Sequence, residues 1–573
     1  MNTTSKRLML IAAVLFGLLM YGVSDSADEI YNLSIAHLND THGHLEPSAV
    51  SLTDNGHSFT VLAGGFPWIA GALSGIRESH PNLLFLHAGD VFTGTVFFSK
   101  YHGLADVDFL NAMHLDAMTT GNHEFDKGPS VLAEFIRKAS FPVVSANLDI
   151  ATDSPLNGLI KPYTIIEKNG RKIGIVGLTT TETPSISKPG KTVKFGDIAQ
   201  SAQKAVSALT SQGVNIIILL SHVGYDVDLA LARAVSGIDV IVGGHSHTLL
   251  GDDSLRQTGL HPIGPYPTEV RAADNSTVLV VTSWEFGKVL GLLDVDFDDN
   301  GRIVSYRGEP MIILPDTPAN KPPEAAQFYE SVMNGHIAST PAFQIVKADM
   351  QAQLKLDNYT APIKGFMSET VAYALEALTR ANNQGPGPII TDSMLAKTAA
   401  SGAVAAFMNA GGVRIDLPKG AISIADAYSL MPFNNTIYVL KLKGCQIKDA
   451  IESTIEFQLS KMKNPPVIYV SGLRLTLDMS RPKGQRVTGM EVKTAKTYVP
   501  VKPDSFYKIA LSEYIAKGGD KFMPAQGTVA VSPLQAASSS IDTGFVDSEV
   551  FIDYIKTLKN LKNPVDKRIR IIQ

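Results

Sequence analysis

Five short stretches of this chain set histidine beside carboxylate or amide in ways that could hold metal ions. They are Asn39-Asp40-Thr41-His42, His87-Ala88-Gly89-Asp90, Gly121-Asn122-His123-Glu124-Phe125-Asp126, Ser221-His222-Val223 and Gly243-Gly244-His245-Ser246-His247. Taken singly, a histidine is more often structural than a ligand; here such groups recur where apolar runs end. Asp40, His42, Asp90, Asn122, His222, His245 and His247 form a set of nitrogen and oxygen donors without thiolate. That chemistry suits Zn, Mn, Co or Fe better than Ca or Mg. The set is too large for one tetrahedral ion but suits two divalent ions about 3.5–4 Å apart with one carboxylate shared. Asp90 is the candidate bridge, because a carboxylate can present an oxygen to each ion. Such a pair polarises substrate oxygens and acidifies a water, which is hydrolytic chemistry. His123 stands beside Asn122 but outside the donor set, and Asp126 could orient its imidazole. The alternative is that both cap a helix N-terminus. Glu124 lies in the same motif with no role assigned.

The elements that must carry these groups follow from hydrophobic patterning. Leu33 to Leu38, Leu83 to Leu86, Val143 to Ala146, Ile216 to Leu220 and Val240 to Val242 read as buried strands, each followed by a polar or Gly-rich loop. Turn signals at Asn169-Gly170 and Asp299-Asn300-Gly301 add antiparallel hairpins. In α/β sheets the loops at the carboxyl ends of strands form the ligand crevice, so the five groups can converge on one site. This mixed α/β pattern spans residues 31–315. A linker with a helix, 316–344, follows: prolines at Pro315, Pro318, Pro322 and Pro323 lead into a helical stretch from Glu324 to about Asn334. A second domain is expected over 345–550, with a helix near Met367 to Ala381 and strands at Ile437 to Leu442 and Tyr507 to Leu511, and a C-terminal segment over 551–573.

At 573 residues the chain exceeds what one hydrophobic core supports, in keeping with two domains. Its 45% hydrophobic and 18% charged residues are those of a globular protein, and a net charge of −5 gives no basic field for a nucleic-acid polymer. An anionic substrate must then be drawn by a local site. Residues 1–26 read as an export signal: Lys6-Arg7, an apolar run from Leu8 to Met20, then small residues from Gly22 to Ala27. The run is shorter than the roughly 20 residues a spanning helix needs, and no Cys follows it for lipid attachment. A periplasmic or secreted bacterial protein is expected, with no membrane span after signal removal. Cys445 is the only cysteine, which excludes an intrachain disulfide.

Three groups lie in the second half. Met408-Asn409-Ala410-Gly411-Gly412-Val413-Arg414 joins glycines, which let a ligand approach the backbone, to a cation whose planar fork suits phosphate. Met431-Pro432-Phe433-Asn434-Asn435 and Tyr514-Ile515-Ala516-Lys517-Gly518-Gly519-Asp520 follow. Alone each is weak, and a lone aromatic is more often core. With the metal-type motifs they resemble, in order and spacing, the calcineurin-like metallophosphoesterases and among them the 5′-nucleotidase branch, over about residues 31–550.

The resemblance implies an α/β protein in which a four-layer αββα catalytic domain precedes a smaller α/β substrate-binding domain. It implies one metal on Asp40, His42, Asp90 and His247 and another on Asp90, Asn122, His222 and His245; the family often has Asn or Gln where His247 stands. It makes His123 and Asp126 a catalytic dyad that stabilises the transition state and the leaving group. Phe433 and Tyr514 would sandwich a nucleobase, Asn409 and Asn435 would contact it, Asp520 would accept from the ribose hydroxyls, and the loop of Gly412 and Arg414 would meet the substrate. One departure stands out: the family places an Arg shortly before the first helix of the second domain, whereas Tyr359 to Thr370 has none, with Lys364 its cation and Ala361 at the aligned position. An ammonium does not reproduce bidentate phosphate binding, so monophosphates are expected to lose more than anhydrides. The expected activity is hydrolysis of nucleoside 5′-monophosphates, extending to nucleotide anhydrides such as NAD and UDP-sugars; His87 to Thr95 resembles the NAD-nucleotidase branch. The alternatives are a non-catalytic nucleotide-binding surface protein, disfavoured by an intact ligand set and dyad, and a sulfur-oxidation hydrolase on the same fold, disfavoured by the aromatics.

Overall fold

Strand Ile216–His222 buries every residue, as do Val240–Gly243 and Leu83–His87. Unbroken apolar runs of this kind are what strands covered on both faces require. The computed structural model describes residues 30–572 except 55, 317–322, 334–339, 381–383, 434, 462–466, 496, 528 and 566. The expected export signal at 1–26 and most of the proline-rich linker lie outside the described residues.

Two sheets form the first unit. One runs in the order Phe343–Val346, Ile303–Pro315, Val289–Phe297, Tyr31–Leu38, Leu83–His87, Ala117–Thr119, Val143–Val144. The other runs Thr268–Arg271, Thr277–Val281, Val240–Gly243, Ile216–His222, Arg171–Thr179, Tyr163–Lys168. Leu33, Ile35, Leu84 and Leu86 of the first sheet interleave with Ile173, Ile175, Ile218, Leu220 and Val242 of the second in one fully buried cluster. Each such aliphatic side chain contributes roughly 1.5–3 kcal/mol through burial. Helices Phe66–Ser79, Leu104–Ala112 and Pro129–Lys138 cover the outer face of the first sheet, and Ile198–Thr210 and Tyr225–Ala234 that of the second. The result is the four-layer αββα arrangement. Both expected hairpins form, and Asn169 and Gly170 take positive φ of 45° and 78°, as a tight two-residue turn demands.

The second unit centres on a five-stranded sheet ordered Ile468–Ser471, Ala405–Asn409, Phe506–Ser512, Thr436–Lys443, Ser540–Val546. Along Ala405–Asn409 the strand period of two sends Ala406 and Met408 towards helices Pro386–Thr398 and Asp547–Leu558, and Ala405 and Phe407 towards helix Gly444–Ser460.

One expected element is not there. No helix spans Met367 to Ala381; a short helix, Ile363–Met367, stops where it was expected to start, and Thr370–Ala374 is a strand. That strand pairs antiparallel with Gly420–Ser423 and parallel with Asn560–Leu561. Ala372 and Ala374 are buried while Tyr373 between them is exposed, a period of two rather than 3.6. The long helix begins only at Pro386, behind Gly385. Near the linker, the turn Pro323–Ala325 and helix Ala326–Met333 occupy the stretch read as helical. Strand Phe343–Val346 runs parallel to Ile303–Pro315, and Ala352, Leu356 and Ile363 pack into the first unit's core. Helix Asp547–Leu558 and strand Ile569–Ile572 pack into the second.

Candidate active site

The predicted ligands leave the carboxyl ends of strands through abrupt reversals. Asp40 (φ 49°), His42 (48°), Asp90 (57°), His245 (76°) and His247 (48°) all lie in the left-handed region. Residues with a Cβ adopt it at a cost, and it persists where surrounding contacts over-determine it. Those contacts are present: the amides of Asp40 and His42 donate to the carbonyls of Gly89 and Asp90, each at 3.0 Å, and the amide of Phe286 donates to the Asp40 carbonyl at 2.7 Å. Glu124, to which the sequence assigned nothing, laces two of the loops together. Its carboxylate accepts the amides of Asp90 (2.9 Å), Val91 (2.7 Å) and Gly121 (2.5 Å).

The donors converge in two groups. Asp40, His42 and His247 offer ligand atoms within 4.8 Å of one another, and so do Asp90, His222 and His245. His42 Nε2 and His247 Nε2 face each other at 3.2 Å, and His247 Nε2 lies 3.4 Å from Asp40 Oδ1. Asp90 Oδ2 is 2.9 Å from His222 Nε2 and 3.8 Å from His42 Nε2, so one oxygen looks towards both groups. Asn122 Oδ1 is buried and, among the described residues, takes no hydrogen bond. A buried acceptor without a donor is costly, and imidazole nitrogens aimed at one another leave lone pairs in need of a cation. The residues present therefore fit two divalent ions. Burial drives His42 down to about 4, leaving a neutral imidazole. Burial would raise Asp90, but His222 and His123 hold it well below the usual carboxylate range.

His123 Nδ1 lies 2.7 Å from Asp126 Oδ2. Thr93 Oγ1 donates to that same oxygen at 2.6 Å, and Ser187 Oγ donates to Oδ1 at 2.7 Å. Burial acts to lower His123, yet Asp126 and Asp90 carry it up to about 9; burial acts to raise Asp126, yet His123 holds it at about 2. The two form an ion pair. Only the three-residue turn His123–Phe125 follows Asn122, and its N-cap makes no side-chain hydrogen bond, so the helix-capping alternative falls. On its other side the imidazole meets the second unit: a Cβ at Gly544 would come within 2.1 Å of His123 Nε2, and the Phe545 ring stands edge-on at 5.7 Å.

In the second unit, Asn409 Nδ2 donates to Asp520 Oδ2 at 2.8 Å and Tyr514 Oη to Asp520 Oδ1 at 3.1 Å, which brings three predicted residues together. The Arg414 guanidinium lies 5.5 Å from the Phe433 ring centroid, Gly412 is buried in the turn Ala410–Gly412, and Asn435 Nδ2 points to Asp547 Oδ2 at 3.4 Å. Among the described residues no ring contact joins Phe433 to Tyr514. Phe433 and Asn435 line a cleft of about 790 Å³ that His44, Glu46, Glu285, Phe286 and Lys288 complete from the first unit.

The inference from a missing arginine fails with the helix on which it rested. The basic residue ahead of the long helix Pro386–Thr398 is Arg380, whose Nη1 donates to the carbonyl of Val413 at 3.1 Å, next to Arg414, and whose Nε pairs with Asp416 at 3.0 Å. Ala361 instead closes helix Met350–Thr360, and Lys364 is exposed. The Gly385-Pro386 helix-start signal could have located Arg380 in the sequence.

Residues 33–249 match the family described as calcineurin-like phosphoesterase, and residues 370–527 match 5′-nucleotidase, C-terminal domain. The chain is 33% identical over 586 residues to a probable 5′-nucleotidase of Treponema pallidum (strain Nichols), with 98% of each covered. The solved NAD nucleotidase of Haemophilus influenzae superposes with a TM-score of 0.84 at 29% identity, over 95% of this chain and 99% of that one. A 5′-nucleotidase precursor from Thermus thermophilus is 40% identical and superposes at 0.57, over 95% of this chain and 100% of that one. Among the described residues no helix is long and apolar enough to cross a membrane. Its two matched domains, its full-length relatives and its paired donor groups together establish that the chain belongs to the 5′-nucleotidase family of calcineurin-like metallophosphoesterases and is a metal-dependent phosphoester hydrolase.

Proposed function

We propose that the protein is an exported 5′-nucleotidase that releases phosphate from nucleoside 5′-monophosphates, with nucleotide anhydrides such as NAD and UDP-sugars as further substrates. The observation that carries this is the convergence of two donor groups beside a buried His–Asp pair. Asp40, His42, Asp90 and His247 would hold one divalent ion and Asp90, Asn122, His222 and His245 the other, drawn from Zn, Mn, Co and Fe. When bound, the ions neutralise phosphoryl charge and acidify a water. His123, kept protonated by Asp126, donates from Nε2 to the phosphoryl or leaving oxygen as charge develops there. Thr93 and Ser187 fix Asp126 and through it the ring.

Phe433 and Tyr514 flank the base, Asn409 and Asn435 contact its edge, Asp520 takes the ribose hydroxyls, and Arg414 with Arg380 meets phosphate. Gly544 and Phe545 stand against His123 Nε2, so substrate reaches that atom only when the second unit shifts. A lower TM-score for a more identical chain over the same coverage accords with units that take different relative placements. We divide the units at residues 31–363 and 370–572, following their cores. The NAD nucleotidase likeness favours anhydrides as a second substrate class, and the segment at 1–26 favours export to the periplasm or beyond.

The test is phosphate release from AMP, NAD and a UDP-sugar after chelation and again with each of the four metals. Activity on AMP should vanish on chelation and return with at least one ion. Nucleotide turnover that is indifferent to chelation, or absent with every metal, would contradict the proposal.

A further inference from the structure

We propose that Glu285 is a positioning residue for the first metal group, acting through His247; this rests on the two-metal reading above. Glu285 belongs to no sequence motif and follows strand Thr277–Val281 in the loop Trp284-Glu285-Phe286-Gly287-Lys288. Its Oε2 lies 3.2 Å from His247 Nδ1, while His247 Nε2 faces Asp40 Oδ1 at 3.4 Å and His42 Nε2 at 3.2 Å. A carboxylate accepts only, so Glu285 places the proton of a neutral imidazole on Nδ1 and turns the Nε2 lone pair towards Asp40 and His42. A histidine held in this way presents its other nitrogen to a cation in a fixed tautomer and ring orientation.

Glu285 is itself fixed. Its Oε1 pairs with Lys288 Nζ at 2.7 Å, with the two side chains only 13% and 8% exposed. The Lys288 ammonium lies 4.6 Å from the Trp284 ring centroid and 4.8 Å from that of Phe286. Phe286 in turn stands edge-on to His247 at 5.7 Å and stacks on His44 at 4.2 Å. Trp284 and Phe286 take positive φ of 59° and 57°, and the Phe286 amide donates to the Asp40 carbonyl, so this loop grips two ligands of one group. Lys288 offsets the charge of Glu285, which lets the carboxylate orient the ring without adding net charge beside the ions. In the second group the His245 ring faces Glu182, whose Oε2 lies 3.7 Å from Nε2 and whose side chain is 48% exposed against 13% for Glu285.

Metal stoichiometry and affinity of the full chain test this, using Co²⁺ and Zn²⁺ titrated into metal-depleted protein, with the melting temperature of each metal-free variant as a check on folding. The parent should bind two ions. Glu285→Leu should bind one ion unchanged and the other roughly 10–100-fold more weakly. Glu285→Gln, whose carbonyl still accepts from Nδ1, should fall between, and it decides alone if the Leu variant does not fold. In a His247→Asn background, Glu285→Leu should weaken binding no further. Unchanged affinities in both variants, equal weakening of both ions, or the same loss in the His247→Asn background would overturn the inference. A parent that binds fewer than two ions would sink the two-metal reading itself, and this role with it.

Discussion

The predicted metal ligands of the first unit are buried or nearly so, from 0% exposed at Asp40 and His222 to 14% at the His245 side chain, whereas Phe433 and Tyr514 of the second unit are 56% and 47% exposed. The first region is held by strained backbone, loop-to-loop amide bonds and the Glu124 carboxylate; the second leaves both aromatic rings about half open to solvent. Groups that must stabilise a transition state gain from being fixed in advance, while a base-binding pair can gain its order from the base itself, at a cost in affinity. On the function proposed above, the contrast matches chemistry in the first unit and selection in the second.

The largest effect is expected at the dyad. His123→Ala should lower kcat by about 10²–10⁴-fold, far more than it raises KM, because its bond strengthens as charge develops. Steady-state kinetics on AMP check this, and near-normal kcat would take His123 out of the chemistry. Next comes Arg380→Ala, which should cut kcat/KM for AMP by roughly 10–100-fold if Arg380 joins Arg414 on phosphate. No change would leave Arg380 as a partner of Asp416 and the Val413 carbonyl, with no part in binding phosphate.

The smallest effect concerns Asp106, in the helix Leu104–Ala112 of the first unit. Both its oxygens are buried and, among the described residues, lack a hydrogen-bond partner; burial pushes its carboxyl up to about 8. A carboxyl raised above its unfolded value stabilises most at low pH, and that contribution is lost as pH rises towards and through about 8. Asp106→Asn should therefore match the parent more closely at pH 5 and exceed it at pH 9, by on the order of 1–3 kcal/mol. Melting curves at the two pH values check this, and a gap that narrows as pH rises would contradict it.

The loops of Asp40, Asp90, His222 and His245 could be read from sequence because metal-type donors come from few residue types and because each of these loops closes an apolar strand, whereas the loop of Asn122 follows only the three-residue strand Ala117–Thr119. Glu124, Thr93, Ser187 and Glu285 could not, since each acts by contact across the fold and looks ordinary in its own stretch. The segment Met367 to Ala381 misled for a related reason: Val371, Ala372, Ala374, Leu375 and Leu378 satisfy a helical period as well as a strand period. Pairing with Gly420–Ser423 and Asn560–Leu561, far along the chain, decides between them. That one misreading also displaced the arginine. Phe433 and Tyr514 entered the reading only through resemblance, because a lone aromatic has no local signature that separates a binding role from a core one.

The division of labour is tested most directly by comparing AMP with a small aryl phosphate in the Phe433→Ala/Tyr514→Ala double variant of the full chain. Aromatic stacking is worth about 1–3 kcal/mol per base, so kcat/KM for AMP should fall roughly 5–150-fold. The aryl phosphate, which carries no base, should be turned over as before. Equal losses on both substrates, or none on AMP, would contradict the assignment of selection to the second unit.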